Sequence, residues 1–158
     1  MKYREEIIHG RRDPGQMAER AGADDLTQLL SQVERAVTAR LARVLAQEGC
    51  TVEEWRVLCL LADGRGHPMN QVADFALLPA PTLTRLVDRL VANNLVYRRV
   101  DPTDRRRVLV QLTARGRARQ RRLNRLVQDH QADLTQRAGE ADAARLAGIL
   151  DRLRSDLT

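Results

Sequence analysis

The side chain best placed for chemistry in this chain of 158 residues is arginine, and it is concentrated in one region. Residues 98–125 carry eleven arginines (98, 99, 105, 106, 107, 115, 117, 119, 121, 122 and 125) against two acids, Asp101 and Asp104. That stretch is +9 in a chain whose net charge is +6, which leaves −3 elsewhere, so the basicity is local. A guanidinium is planar, always charged, and offers a fork of donors that fits a phosphate or the edge of guanine. Crowded together, such groups repel one another until a polyanion arrives. All but one of the 27 basic residues are arginine, Lys2 being the exception, as a GC-rich genome would produce; the clustering is therefore the informative part. A partner of high negative charge density is expected.

The other reactive groups do not assemble into a site. Cys50 and Cys59 lie nine residues apart and form neither a disulfide framework nor a metal-ligand set. Cys59 falls on an apolar helical face, whereas Cys50 falls in a turn and is the candidate for an oxidant-sensing thiol. His9, His67 and His130 have no metal-like spacing with a cysteine or carboxylate. No metal, cofactor or catalytic residue is expected, and a thiol enzyme built on Cys50 would need an attendant histidine and acid. The four aromatic residues, Tyr3, Trp55, Phe75 and Tyr97, are dispersed, which argues against a protein that stacks the bases of RNA or of single strands. The longest N-terminal apolar run is Ile7-Ile8 and no apolar run could span a bilayer, so no leader is expected and the setting expected is cytoplasmic, with no membrane partner.

The elements that must position the arginines follow from periodicity. Residues 1–22 are polar and broken by Gly10, Pro14, Gly15 and Gly22, an N-terminal arm. A helical repeat then runs from Asp24 and Asp25, as N-cap, through Leu26, Leu29, Leu30, Val33, Val37, Leu41, Val44 and Leu45 to a stop at Gly49. Thr51 and Glu54 form a capping box for a second helix, whose buried face is Trp55, Leu58, Cys59 and Ala62. Asn70 is placed to cap a short third helix burying Val72, Ala73, Ala76 and Leu77. A fourth helix, 82–93, buries Leu83, Leu86, Val87 and Leu90 and leaves Thr82, Arg85, Asp88 and Arg89 facing solvent. The period then drops from 3.6 to 2 in "LVYRRV" (95–100) and "RRVLVQL" (106–112), joined by the turn-rich "DPTDR", which predicts a hairpin. Thr113 caps a long basic helix carrying Leu123, Leu126, Val127, His130 and Leu134. A last helix, 140–157, shows Leu146, Ile149, Leu150, Leu153 and Leu157.

The fold class expected is therefore mainly α with a small β-hairpin wing: a winged helix-turn-helix with a helical dimerisation domain. The boundaries expected are an arm at 1–22, a dimerisation region at 23–50 and 113–158, and a DNA-binding domain at 51–112. Leucine stripes larger than one small domain can cover predict a homodimer.

The segment "TLTRLVDRLVANNLVYRRVDPTDRRRVLVQLTARGR", with "TVEEWRVL" upstream, resembles the MarR (multiple antibiotic resistance regulator) family of bacterial transcription factors over residues 25–157. The resemblance implies a homodimer that reads a pseudo-palindromic operator in double-stranded DNA. It places major-groove contacts on Thr82, Thr84 and Arg85, with Arg89 one turn on, and a minor-groove arginine at Arg106, braced by Asp104. Arg105 and Arg107 complete the wing, and Asn70 and Arg98 are expected at backbone phosphates. It also implies a small aromatic effector, for which Trp55 and Val37 are candidate lining residues. The chain departs from the family pattern at Leu77 and Pro79, where a glycine and a polar cap are usual, and at Asn94, often glycine in the family. The reading expected is a DNA-binding repressor, with an architectural, nonspecific DNA-binding protein or a cysteine-based redox regulator as alternatives.

Overall fold

The computed structural model describes residues 23–157, so the arm expected at 1–22, with Tyr3 and His9, lies outside the described residues. The element order is α1 (Ala23–Ala46), α2 (Val52–Leu60), a 3-10 turn (Leu61–Asp63), β1 (His67–Pro68), α3 (Met69–Ala76), α4 (Ala80–Ala92), β2 (Val96–Val100), β3 (Val108–Leu112), α5 (Ala114–Ala138) and α6 (Glu140–Asp156). Helices carry a small antiparallel sheet of order β1-β3-β2. In the register, Val96 faces Leu112, Arg98 faces Val110 and Val100 faces Val108, while His67 pairs with Val110 on the other side of β3. A helix-turn-helix followed by a two-stranded wing is present as the sequence predicts. The third strand is an addition: two residues are too short to show a period, and their pairing is set by β3, more than forty positions away.

Three helices end the same way. After α1, Cys50 N–H donates to Leu45 O (3.1 Å) and Gly49 N–H to Ala46 O (3.0 Å), with Gly49 at φ 59°. Leu77 and Leu78 repeat this pattern after α3, as do Asn94 and Leu95 after α4, with Leu77 at φ 58° and Asn94 at φ 54°. Asparagine tolerates the left-handed region, but leucine does so only at a steric cost. Leu77, expected in the core, is instead the cap and is 74% exposed. Other expectations are corrected nearby. Asn70 does not cap α3, because the helix already begins at Met69 with Pro68 before it, and Asn70 lies exposed in the first turn. Ala62 is exposed because α2 ends at Leu60 and tightens into the 3-10 turn, which turns Leu61 into the core instead. Helix α1 is described from Ala23, so Asp24 and Asp25 lie within its span. The fourth begins at Ala80, two residues before Thr82, with Pro81 in its first turn, where the missing N–H has no intrahelical partner to lose.

The chain divides into two compact units, one ending at Val37 and the other starting at Thr38. In the first, Leu26, Leu29, Leu30 and Val33 are exposed at helical spacing. The second holds a core of Leu45, Val57, Leu58, Val72, Leu83, Val87, Leu90, Val96, Val110, Leu112, Leu123 and Val127. Burial of these side chains holds α2, α3, α4, the wing base and α5 as one body, at about 1.5–3 kcal/mol each. In contrast, α6 buries no residue within the chain, and Leu146, Ile149, Leu150 and Leu153 stay exposed along one stripe.

Candidate nucleic-acid interface

Helix α4 buries Leu83, Leu86, Val87 and Leu90 at i, i+3, i+4 and i+7, which fixes its rotation about its own axis. The opposite face therefore presents Thr82, Thr84, Arg85, Asp88 and Arg89 to solvent. The Thr84 hydroxyl donates to Ala80 O at 2.9 Å, which holds its rotamer. Asp88 accepts from Arg98 Nη2 at 2.7 Å, across from the helix to β2. Arg98, expected at a phosphate, is thus engaged with the α4 face.

The wing loop is built by its two acids. The Asp101 carboxylate accepts from the Thr103 hydroxyl (2.7 Å) and the Thr103 N–H (2.9 Å), and these bonds hold its pKa below the usual carboxylate range. Asp101 N–H donates to Arg107 O, and Arg107 N–H to Asp104 O, each at 2.9 Å. Asp104 Oδ1 accepts from the Arg106 N–H at 3.0 Å, so it braces the arginine through its backbone. With the backbone closed on itself, the side chains of Arg105, Arg106 and Arg107 remain exposed. Among the described residues, Arg85, Arg89, Arg105 and Arg106 have no carboxylate within ion-pair distance.

Several arginines of α5 behave otherwise. Arg119 donates to Glu54 Oε1 and to the carbonyls of Glu48 and Gly49, all at 3.3 Å. Arg122 pairs with Glu48 at 2.7 Å, and Arg117 donates to Leu112 O at 2.9 Å. The basic run therefore splits: part of it ties α5 to the α1–α2 corner and to β3, and part stays free. Sequence reasoning missed these ties because the partners lie as far as 74 positions away. It also missed the purpose of Gly116. The Thr113 hydroxyl accepts from Gly116 N–H (2.9 Å) and donates to Asn94 O (2.7 Å), while Thr113 N–H donates to Leu95 O (3.0 Å). A Cβ at Gly116 would sit 1.9 Å from Leu95 O, so only glycine lets α5 start against the α4–β2 corner.

Cys50, the oxidant-sensing candidate, lies in the core cluster after α1. It is 4% exposed, and burial, aided by the Glu54 charge, pushes its pKa up to about 12, away from the thiolate a sensor needs. Cys59 is raised as well, again chiefly by burial. His67 Nε2 lies 2.9 Å from Asp63 and its Nδ1 3.2 Å from Gln71, a local lock between the 3-10 turn and α3. Trp55 packs against the core, and its Nε1, like Nε2 of the buried His130, is buried without a hydrogen-bond partner among the described residues. Val37 is half-buried in the first unit. Among the described residues there is no group of three or more His, Cys, Asp or Glu that could hold a metal ion, and no helix long and apolar enough to cross a membrane.

Comparison with known proteins agrees with this geometry. The model of the MarR family matches residues 48–107. The HTH-type transcriptional regulator MhqR of Bacillus subtilis is 31% identical over 106 residues, spanning 67% of this chain and 71% of that protein. Among solved structures, the transcriptional repressor CouR bound to a 23-mer DNA duplex superposes with a TM-score of 0.75 at 25% identity, covering 90% of this chain and 97% of that one. NadR in complex with 4-hydroxyphenylacetate superposes with a TM-score of 0.72 at 25% identity, covering 85% of this chain and 94% of that one.

Proposed function

The chain belongs to the MarR family of transcriptional regulators, and from that premise we propose that it is a homodimer that binds a pseudo-palindromic operator in double-stranded DNA and represses transcription. The observation that carries this reading is the distribution of unpaired charge. On α5, Arg117, Arg119 and Arg122 are spent on carboxylates and carbonyls while Arg115, Arg121 and Arg125 stay exposed, and Arg85 and Arg89 on α4 and Arg105 and Arg106 on the wing stand exposed without a carboxylate among the described residues. An amphipathic helix with such a face suits a major groove, and a basic hairpin loop beside it suits the adjacent minor groove.

In this reading residues 51–112 form the DNA-binding domain. Arg85 reads a guanine edge, Thr82 and Thr84 contact a thymine methyl or phosphate, and Arg89 meets the backbone. Arg106 enters the minor groove, where narrow A·T-rich segments concentrate negative potential. Arg105 and Arg107 lie along the phosphates, and Asn70, exposed in the first turn of α3, reaches a phosphate from the other side. Residues 23–50 and 113–158 form the dimer, because the exposed stripes of α1 and α6 need a cover and an isologous second copy is the commonest one. A small aromatic effector tunes binding. Trp55 Nε1 and His130 Nε2 are buried polar atoms with no partner among the described residues, and an oxygen-bearing ring lodged against either would supply one.

The test is selection of bound duplexes from a random pool by the purified protein, followed by competition with random duplex. Recovery of one inverted repeat that resists competition supports the reading. Binding that random duplex abolishes at equal concentration makes the protein a nonspecific, architectural binder instead.

A further inference from the structure

The two DNA-facing parts are joined on their exposed side by one ion pair, Asp88–Arg98, and its position is informative. Asp88 stands on the outward face of α4 beside Arg85 and Arg89, where a bare carboxylate would repel phosphate. Arg98 stands on β2 on the same face of the sheet as Val96 and Val100, with Val110 opposite. At this level the wing loses its support. Val110 is fully buried and paired on both sides, whereas Val100 and Val108, the next rung outward on that face, are 56% and 42% exposed and paired only to each other. The ion pair thus clamps the wing to α4 where the three-stranded sheet gives way to a free two-stranded hairpin.

We infer that Asp88 and Arg98 are positioning residues that set the spacing between the helix in one groove and the wing in the next, and hence how far the flanks are read together with the core of the site. This rests on the DNA-binding function proposed above. Strands rise about 3.3 Å per residue, so Arg98 lies about 13 Å from the corner at Asn94 and the wing tip about twice as far; an ångström of slack at Arg98 becomes roughly two at Arg106. A tip displaced by that much leaves the narrow groove it must enter. Asp88 also neutralises a guanidinium that would otherwise bind any phosphate within reach, so the pair exchanges general affinity for geometry.

The experiment measures binding, by fluorescence anisotropy, to three duplexes: the one selected by the wild-type protein, the same core with scrambled flanks, and random sequence. The variants are Asp88→Asn, Arg98→Met, their double mutant, and Asp88→Glu combined with Arg98→Lys. Both side chains are surface groups, Arg98 35% and Asp88 56% exposed, and thermal melts verify that each variant folds. Each single variant is expected to lower discrimination between selected and flank-scrambled duplex about tenfold, with the double mutant no worse than the weaker single. Asp88→Asn is expected to leave random-duplex affinity unchanged or raised, and the Glu/Lys pair to restore most of the discrimination. The inference is overturned if Asp88→Asn tightens all three duplexes by one factor, which makes Asp88 a plain repulsive charge. It is also overturned if Arg98→Met weakens all three equally while Asp88→Asn changes nothing, which makes Arg98 a phosphate contact. A wild-type protein indifferent to sequence refutes the underlying function and this inference with it, whereas flank loss without core loss separates the two.

Discussion

Gly116→Ala sets two physical effects against each other. Gly116 sits in the first turn of α5, and by helix propensity alone alanine there would stabilise by about 1 kcal/mol. The structure argues for the opposite sign. The added Cβ would lie 1.9 Å from Leu95 O, 2.9 Å from Leu95 C and 3.2 Å from Leu112 Cδ2, and backbone atoms cannot step aside as a flexible side chain can. Relief requires more than an ångström of separation between α5 and the α4–β2 corner. That movement breaks the bond from the Thr113 hydroxyl to Asn94 O, worth about 1 kcal/mol, and the Thr113–Leu95 backbone bond, worth about another. Overpacking adds about 1–3 kcal/mol. Set against the propensity gain, the net loss is about 2–4 kcal/mol, which lowers Tm by roughly 4–16 °C for a domain of this size. Urea and thermal unfolding followed by circular dichroism read it directly. A variant as stable as the wild type, or more so, would refute the claim that the corner is closed against α5.

Leu77→Gly should stabilise by up to about 1 kcal/mol in the same unfolding assay, because it releases a leucine from the left-handed region and discards a side chain that is 74% exposed. Cys50, raised to about 12 from an ordinary 9.0, contributes stability that is fully present below pH 9 and is lost as pH rises toward 12; urea midpoints should fall across that alkaline window, and alkylation at pH 8 should be slow until the protein unfolds. Affinity for the selected duplex should drop on the order of a thousandfold between about 50 and 200 mM salt, since several arginine–phosphate contacts per lobe release counterions; a flat profile would turn the wing arginines toward another partner.

Much of this architecture was legible because its determinants are local. Helix α4 announces itself through Leu83, Leu86, Val87 and Leu90, and its outward face follows from the same spacing. The wing follows from the change of period and from Asp101, Pro102 and Asp104 in the loop, and the Thr113 cap from its place before a helical run. What was missed depends on contacts distant in sequence or on a competition between neighbours. β1 exists only because β3 supplies its partner. Asn70 reads as a cap, yet α3 starts a residue earlier and leaves it uncapped by any side chain. Leu77 carries an apolar side chain but occupies the cap, where the backbone must turn left-handed. Cys50 looks exposed in a turn, and only the packing of Leu45 and the α5 arginines around that corner shows that it is buried.

The central claim is that α4 reads sequence while the wing reads its flanks, and the most direct measurement titrates Arg85→Ala and Arg106→Ala against every single-base variant of the selected duplex. Arg85→Ala should cost about 1–3 kcal/mol per half-site and relax preference at one symmetric pair of positions. Arg106→Ala should weaken all sites, most where the flanks are A·T-rich, and leave the core preference intact. An even loss across the panel for Arg85→Ala would show that Arg85 anchors phosphate and would contradict the account.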